Sequence, residues 1–243
     1  MPPAEWLPAD LPRTSSGAPL PGRALYEAEV RYLDSQIGRL FDGLEQLGRA
    51  ERTLVVVVAD HGEGLGDHGW QHHRVLYQEQ IRVPLIVRVP GRTQAPGVGA
   101  LVRTTDIYPT VLDYLGIATP GAVDGSSLRN LIEGRADAPR SAFADQINGY
   151  DLDARMLEHR PQDDFVYAVV DSGWKLVYRP NHPEQSELFE LGRDPGELAN
   201  RYAGERGQRL RLLPPYREHL GQAFARYFMR VGLPVDIPPF KNK

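Results

Sequence analysis

Residues 54–91 read LVVVVADHGEGLGDHGWQHHRVLYQEQIRVPLIVRVPG, and their interpretation decides the fold. The run from Leu54 to Val58 is continuously apolar, without alternation. Such a run predicts a strand buried on both faces, as inside a parallel sheet. A second strand is expected over Val83 to Val89, ended by Pro90 and Gly91, since proline cannot donate to a ladder and glycine permits a turn. Asp60 and His61 fall at the carboxyl end of the first strand. That edge of an open α/β sheet is where ligands bind, so an adjacent carboxylate and imidazole are well placed there to hold a metal.

Four histidines, His61, His68, His72 and His73, lie within thirteen residues, interleaved with Asp60, Glu63 and Asp67. Gly62, Gly64, Gly66 and Gly69 separate them and let the loop turn several polar side chains toward one point. A solvated polar loop would be the plain alternative. The position at a strand end, with a second apolar strand following, favours a site.

The run ADHGEGLGDHG, then LYQEQIRVPLIVRVPG, TTDIYPTVLDYLG and DGSSL, resembles the carboxyl-terminal half of a sulfatase of the alkaline phosphatase-like superfamily. The blocks match in order and spacing over about residues 24–134, and a weaker match continues through WKLVYRP and ELFELGRDPGELAN. The resemblance implies an α/β fold with a mainly parallel sheet flanked by helices, followed by a small antiparallel sheet and a terminal helix. It implies hydrolysis of a sulfate ester, on a small molecule or a glycan, with Asp60 and His61 on a divalent cation. His72 or His73 would then contact the sulfate or assist the leaving group, and a protonated imidazole could serve either role. Carboxylate donors suit calcium, the first expectation, whereas an imidazole also admits manganese or zinc. An Asp-His pair serves a phosphodiester or phosphonate monoester hydrolase of the same superfamily equally well.

The resemblance also implies a nucleophile on a Cys- or Ser-x-Pro-x-Arg segment and an early pair of Asp ligands. The chain contains no cysteine, and Ser15 and Ser16 do not stand in that pattern. The expectation is a partial sulfatase with little activity alone, because cation affinity depends on ligand number and preorganisation. A non-catalytic remnant or binding module is the other class of reading.

A chain of 243 residues can bury one sizeable core. A net charge of −4 gives no reason to expect nucleic acid as a partner. No apolar run approaches the roughly 18 residues of a membrane span. Residues 1–22, rich in proline, serine and glycine, are expected to form an irregular arm. Residues 23–136 then form the carboxyl-terminal part of a catalytic α/β domain, and 137–243 a small α+β subdomain. Within the second stretch, Val30, Leu33, Ile37, Leu40, Phe41, Leu44 and Leu47 recur at helical spacing and predict an amphipathic helix covering the sheet. A further helix is expected from Thr105 to Leu115, with Thr105 or Asp106 as its cap. Short strands are predicted around 167–170, 174–178 and 187–190, the first two joined by a turn at Asp171-Ser172-Gly173. Pro214-Pro215 is expected to break or delay a last helix over about 208–230.

Overall fold

A computed structural model describes residues 22–73, 75–92, 97–147, 165–179 and 182–231. The expected arm over residues 1–22 lies almost wholly outside them. The chain divides into two compact units. One comprises residues 1–73 and 83–94, the other residues 74–82 and 95–243.

The first unit opens with helix α1, Gly22–Gln46, ended by Gly48 in the left-handed region (φ +62°). Strands β1, Val55–Val58, and β2, Leu85–Arg88, pair antiparallel, with Val56 opposite Val87 and Val57 opposite Ile86. The sequence led to a mainly parallel sheet with both faces of β1 buried. Among the described residues these strands instead form a two-stranded antiparallel ladder, and Val58 and Ile86 are 40% and 60% exposed. Two short strands have only each other to cover, so continuous apolar character does not secure burial on two faces. The helix shows the same pattern. Of its described residues only Ala28 is buried, while Val30, Leu33 and Leu40 are at least half exposed.

The second unit is built on a four-stranded antiparallel sheet in the order β3, β4, β5, β6, comprising Ala142–Ile147, Phe165–Asp171, Trp174–Tyr178 and Glu187–Glu190. Alternation along β4 divides its side chains between two faces. Tyr167 and Val169 join Leu176, Tyr178 and Leu188 on one face, packed by Leu212 and Tyr216 of the terminal helix α5, Arg206–Val231. Val166 and Ala168 join Val177 and Phe189 on the other, packed by Leu76, Tyr77 and Ile81 around the short helix α2, Gln78–Ile81. Each buried leucine or phenylalanine contributes about 1.5–3 kcal/mol. The turn between β4 and β5 is a two-residue loop with both residues at positive φ, Ser172 at 48° and Gly173 at 78°, the twist that a tight hairpin requires.

Residues 174–178, expected as a strand, form an interior strand flanked by β4 and β6. One expectation changes here. Pro214 and Pro215 lie inside α5, which continues past them. Leu212 and Tyr216, each 1% exposed against the sheet, bracket the prolines, and that packing holds a segment whose backbone bonding is weakened.

Also in this unit, helix α3, Ile107–Tyr114, follows a 3-10 turn over Thr104–Asp106, and α4 spans Arg129–Ile132. Asp106 is fully buried, and its carboxylate accepts from the Arg103 side chain at 2.8 Å and from the Ser126 backbone N–H at 2.8 Å. Thr110 Oγ accepts from Leu128 N–H at 2.8 Å. These bonds fasten the DGSSL segment to α3. Gly125 is required there, because a Cβ would stand 1.9 Å from the Thr105 carbonyl oxygen.

Candidate functional site

The loop after β1 doubles back on itself. Gly64, Leu65 and Gly66 donate their N–H groups to the carbonyls of His72, Gln71 and Trp70, at 3.1, 3.3 and 2.9 Å. The reversal at its tip uses positive φ at Leu65, Gly66, His68 and Gly69. The glycines thus make a tight return, as their spacing suggested. Gly64 is held closest: a Cβ there would meet Trp70 O at 2.4 Å and His72 O at 2.8 Å. Trp70 Nε1 donates to His73 O at 2.9 Å, and Arg23 of α1 bonds Asp67 at 3.3 Å, tying down both limbs.

This return brings His72 and His73 back over residues 61–63. The His61 and His73 rings stack with centroids 4.3 Å apart and planes at 26°. His73 Nδ1 lies 3.4 Å from Glu63 Oε2, and His72 Nδ1 lies 3.9 Å from Glu63 Oε1. One donor atom each from His61, Glu63 and His73 falls within 4.8 Å of the others, a group able to hold a metal ion. Nδ1 of His61 is 2.7 Å from the Gly62 carbonyl oxygen. A carbonyl only accepts, so Nδ1 is the donor in this contact.

Asp60 lies outside that group of three. Its carboxylate is strongly exposed, with Oδ2 3.8 Å from His61 Nε2. The His61 backbone N–H, 2.9 Å from Oδ1, and then the His61 imidazole hold the Asp60 carboxyl below its ordinary value, so it is a ready anionic donor. Of the residues singled out in the sequence, Asp60, His61, His72 and His73 therefore share one loop mouth, whereas His68 sits at the tip in a left-handed turn. The residue not assigned a role from the sequence is Glu63. Its residue type alone, a carboxylate in a glycine-spaced loop, did not single it out, because the return of the loop is what sets it beside His72 and His73.

The donors are two imidazoles and a carboxylate, with Asp60 adjoining. Such a set fits a divalent cation.

The segment leaving this loop enters the second unit and is anchored there. Tyr77 Oη donates to Glu187 at 2.9 Å, and Gln78 N–H donates to Glu197 Oε2 at 2.6 Å. Glu197 and Lys175, both fully buried side chains, pair at 2.6 Å, and the Lys175 ammonium lies 5.8 Å from the centre of the Tyr77 ring. Burial lowers the Lys175 pKa and raises that of Glu197, each opposed by the partner's charge.

A family model described as sulfatase matches residues 5–117, and one described as N-sulphoglucosamine sulphohydrolase, C-terminal, matches residues 66–213. An N-acetylglucosamine-6-O-sulfatase of Bacteroides thetaiotaomicron is 30% identical over 197 residues, covering 77% of this chain and 34% of that protein. A structure of a protein in complex with its substrate D-glucosamine-2-N,6-O-disulfate is similar with a TM-score of 0.66 at 30% identity, covering 82% of this chain and 40% of that one. A phosphonate monoester hydrolase from Silicibacter pomeroyi is similar with a TM-score of 0.67 at 32% identity, covering 86% of this chain and 41% of that one. The chain spans about a third of the length of the curated relatives it matches.

Proposed function

The chain belongs to the sulfatase family of the alkaline phosphatase-like superfamily, and on that premise we propose that it contributes the late cation-binding and sulfate-contacting part of a site that hydrolyses sulfate esters. The observation that carries this reading is the convergence of His61, Glu63 and His73 at the end of β1, beside Asp60. In this reading Asp60 and His61 hold a divalent cation. When bound, the cation neutralises charge developing on the transferred group. His72 or His73 contacts the sulfate or donates a proton to the leaving oxygen. Glu63, within 4 Å of both imidazoles, aligns them. The ester is a small molecule or a glycan, a reading supported by the disulfated glucosamine bound to one structural relative.

The β1–β2 ladder would be one margin of a larger, mainly parallel sheet covered by α1. The half-exposed apolar positions of that helix, and of Val58 and Ile86, support it. The catalytic α/β part would extend to about residue 136 and the small subdomain from there onward.

A phosphonate monoester hydrolase is the second reading, favoured by the likeness to the Silicibacter pomeroyi enzyme. Turnover of 4-nitrophenyl sulfate and of a 4-nitrophenyl phosphonate monoester by the natural gene product separates the two. Preference for the sulfate supports the first reading, and preference for the phosphonate overturns it in favour of the second.

A further inference from the structure

We infer that Glu197, with Lys175 as its buried countercharge, is a positioning residue for the proposed hydrolysis: it fixes the chain over residues 75–81, which follows His72 and His73 in sequence. The inference rests on the reading above that one of these histidines meets the ester. The anchoring itself comes from the geometry of the second unit.

Three side chains clamp this short segment. Gln80, itself buried, accepts the Val75 N–H through Oε1 at 2.9 Å, and Val75 stands two residues after His73. Glu187 accepts from Tyr77 Oη. Glu197 Oε2 accepts the Gln78 N–H at 2.6 Å, while its Oε1 lies 2.6 Å from Lys175 Nζ. A displaced segment would carry the end of the preceding loop with it, and misplacing a contacting group by about 1 Å lowers a rate by about 100-fold.

Two features of Glu197 are unfavourable in themselves. Its side chain and that of Lys175 are fully buried, where well-packed apolar residues stabilise a fold as well as an ion pair does, or better. Its backbone has φ 55°, in the left-handed region that residues with a Cβ seldom occupy. The turn before it maintains that conformation, since the Asp194 carboxylate accepts the N–H groups of Leu198 and Ala199 at 3.0 and 2.9 Å. Stability alone accounts for neither feature. A charged acceptor aimed at the Gln78 N–H accounts for both.

The test uses the natural gene product in two double variants, Lys175→Met/Glu197→Gln and Lys175→Met/Glu197→Leu. Neither leaves a lone buried charge, and only the first keeps an oxygen for the Gln78 N–H. The Gln form is expected to hold kcat/KM for 4-nitrophenyl sulfate within about threefold of the unaltered protein, and the Leu form to lose about 10–100-fold at a similar thermal midpoint. Hydrogen exchange in the peptide spanning residues 75–81 should quicken by about 10–100-fold in the Leu form and stay within about threefold in the Gln form. In the unaltered protein, a measurement independent of any variant, that peptide should exchange at least about 100-fold more slowly than in the unfolded chain. A folded Leu form with kcat/KM within about threefold of the unaltered protein overturns the inference. So do equal losses in the two forms, or exchange of residues 75–81 in the unaltered protein at the unfolded rate. Exchange as expected, in a gene product that cleaves neither the sulfate nor the phosphonate ester, counts against the functional reading alone.

Discussion

Glu63 Oε2 lies 3.4 Å from Nδ1 of His73, ten residues farther along the chain, because the intervening loop returns on three backbone bonds from Gly64, Leu65 and Gly66. The candidate centre is thus a product of backbone geometry as much as of its side chains. A change that opens the return dismantles the centre without touching a ligand.

Gly64→Ala is such a change. Its Cβ would stand 2.4 Å from Trp70 O and 2.8 Å from His72 O, so the returning limb must shift outward. We expect cation affinity to fall by about 10–100-fold, the effect of disturbing groups that support metal ligands. Equilibrium dialysis with Co2+ reads it. Affinity equal to the unaltered chain would show that the return does not position the donors.

The buried pair of Lys175 and Glu197 supports a second prediction. Lys175→Met leaves the Glu197 carboxylate buried beside Gln78 without its countercharge, and the expected loss is about 3–5 kcal/mol in urea unfolding. Glu197→Gln leaves the ammonium in the same state. The double variant is expected to be less destabilised than the sum of the single changes, because neither charge then remains alone. Strictly additive losses would mean that the two do not act as a pair.

Tyr77 joins the segment after the loop to β6 through Glu187. Burial and then the Glu187 charge raise its pKa, so the phenol stays protonated and donates. Tyr77→Phe removes one charge-assisted bond and is expected to cost about 1.5–3 kcal/mol. An unchanged unfolding midpoint would contradict this.

Acid should loosen the α3–α4 region. The Ser127 hydroxyl and then Arg129 hold Asp113 below its ordinary 3.8, Arg129 holds Glu133 below 4.5, and Arg140 holds Asp137 below 3.8. With folded pKa values depressed, the unfolded chain takes up protons first as pH falls. The stabilisation is therefore complete above about pH 4.5 and is lost below it. Thermal unfolding between pH 6 and 3 should show a falling midpoint, with a shallower fall in Arg129→Met. Identical slopes for the two proteins would refute the assignment.

The second unit was largely legible in the sequence. Strands 174–178 and 187–190 and the turn at Asp171-Ser172-Gly173 stand where alternation and turn residues put them. The strand 142–147 was missed, because Ala142 to Ile147 mixes small, acidic and apolar residues without a clear period. The continuation of α5 through Pro214 and Pro215 was missed because packing of Leu212 and Tyr216 outweighs local propensity. In the first unit, the apolar runs gave the strands but not their antiparallel pairing, since an unalternating run carries no direction. Asp60, His61, His72 and His73 were singled out by their density in a glycine-spaced loop and by the resemblance, and the structure brings them to one loop mouth. Glu63 was not singled out, because only the return of the loop sets it between two imidazoles.

The central claim is that this loop serves sulfate ester cleavage through Asp60 and His61. Its most direct test is kcat/KM for 4-nitrophenyl sulfate in the natural gene product carrying His61→Ala, beside the unaltered protein and with divalent metal supplied. A loss of about 100-fold or more, with the fold intact by circular dichroism, is the predicted result. Turnover of the sulfate ester within about twofold of the unaltered protein would contradict the account.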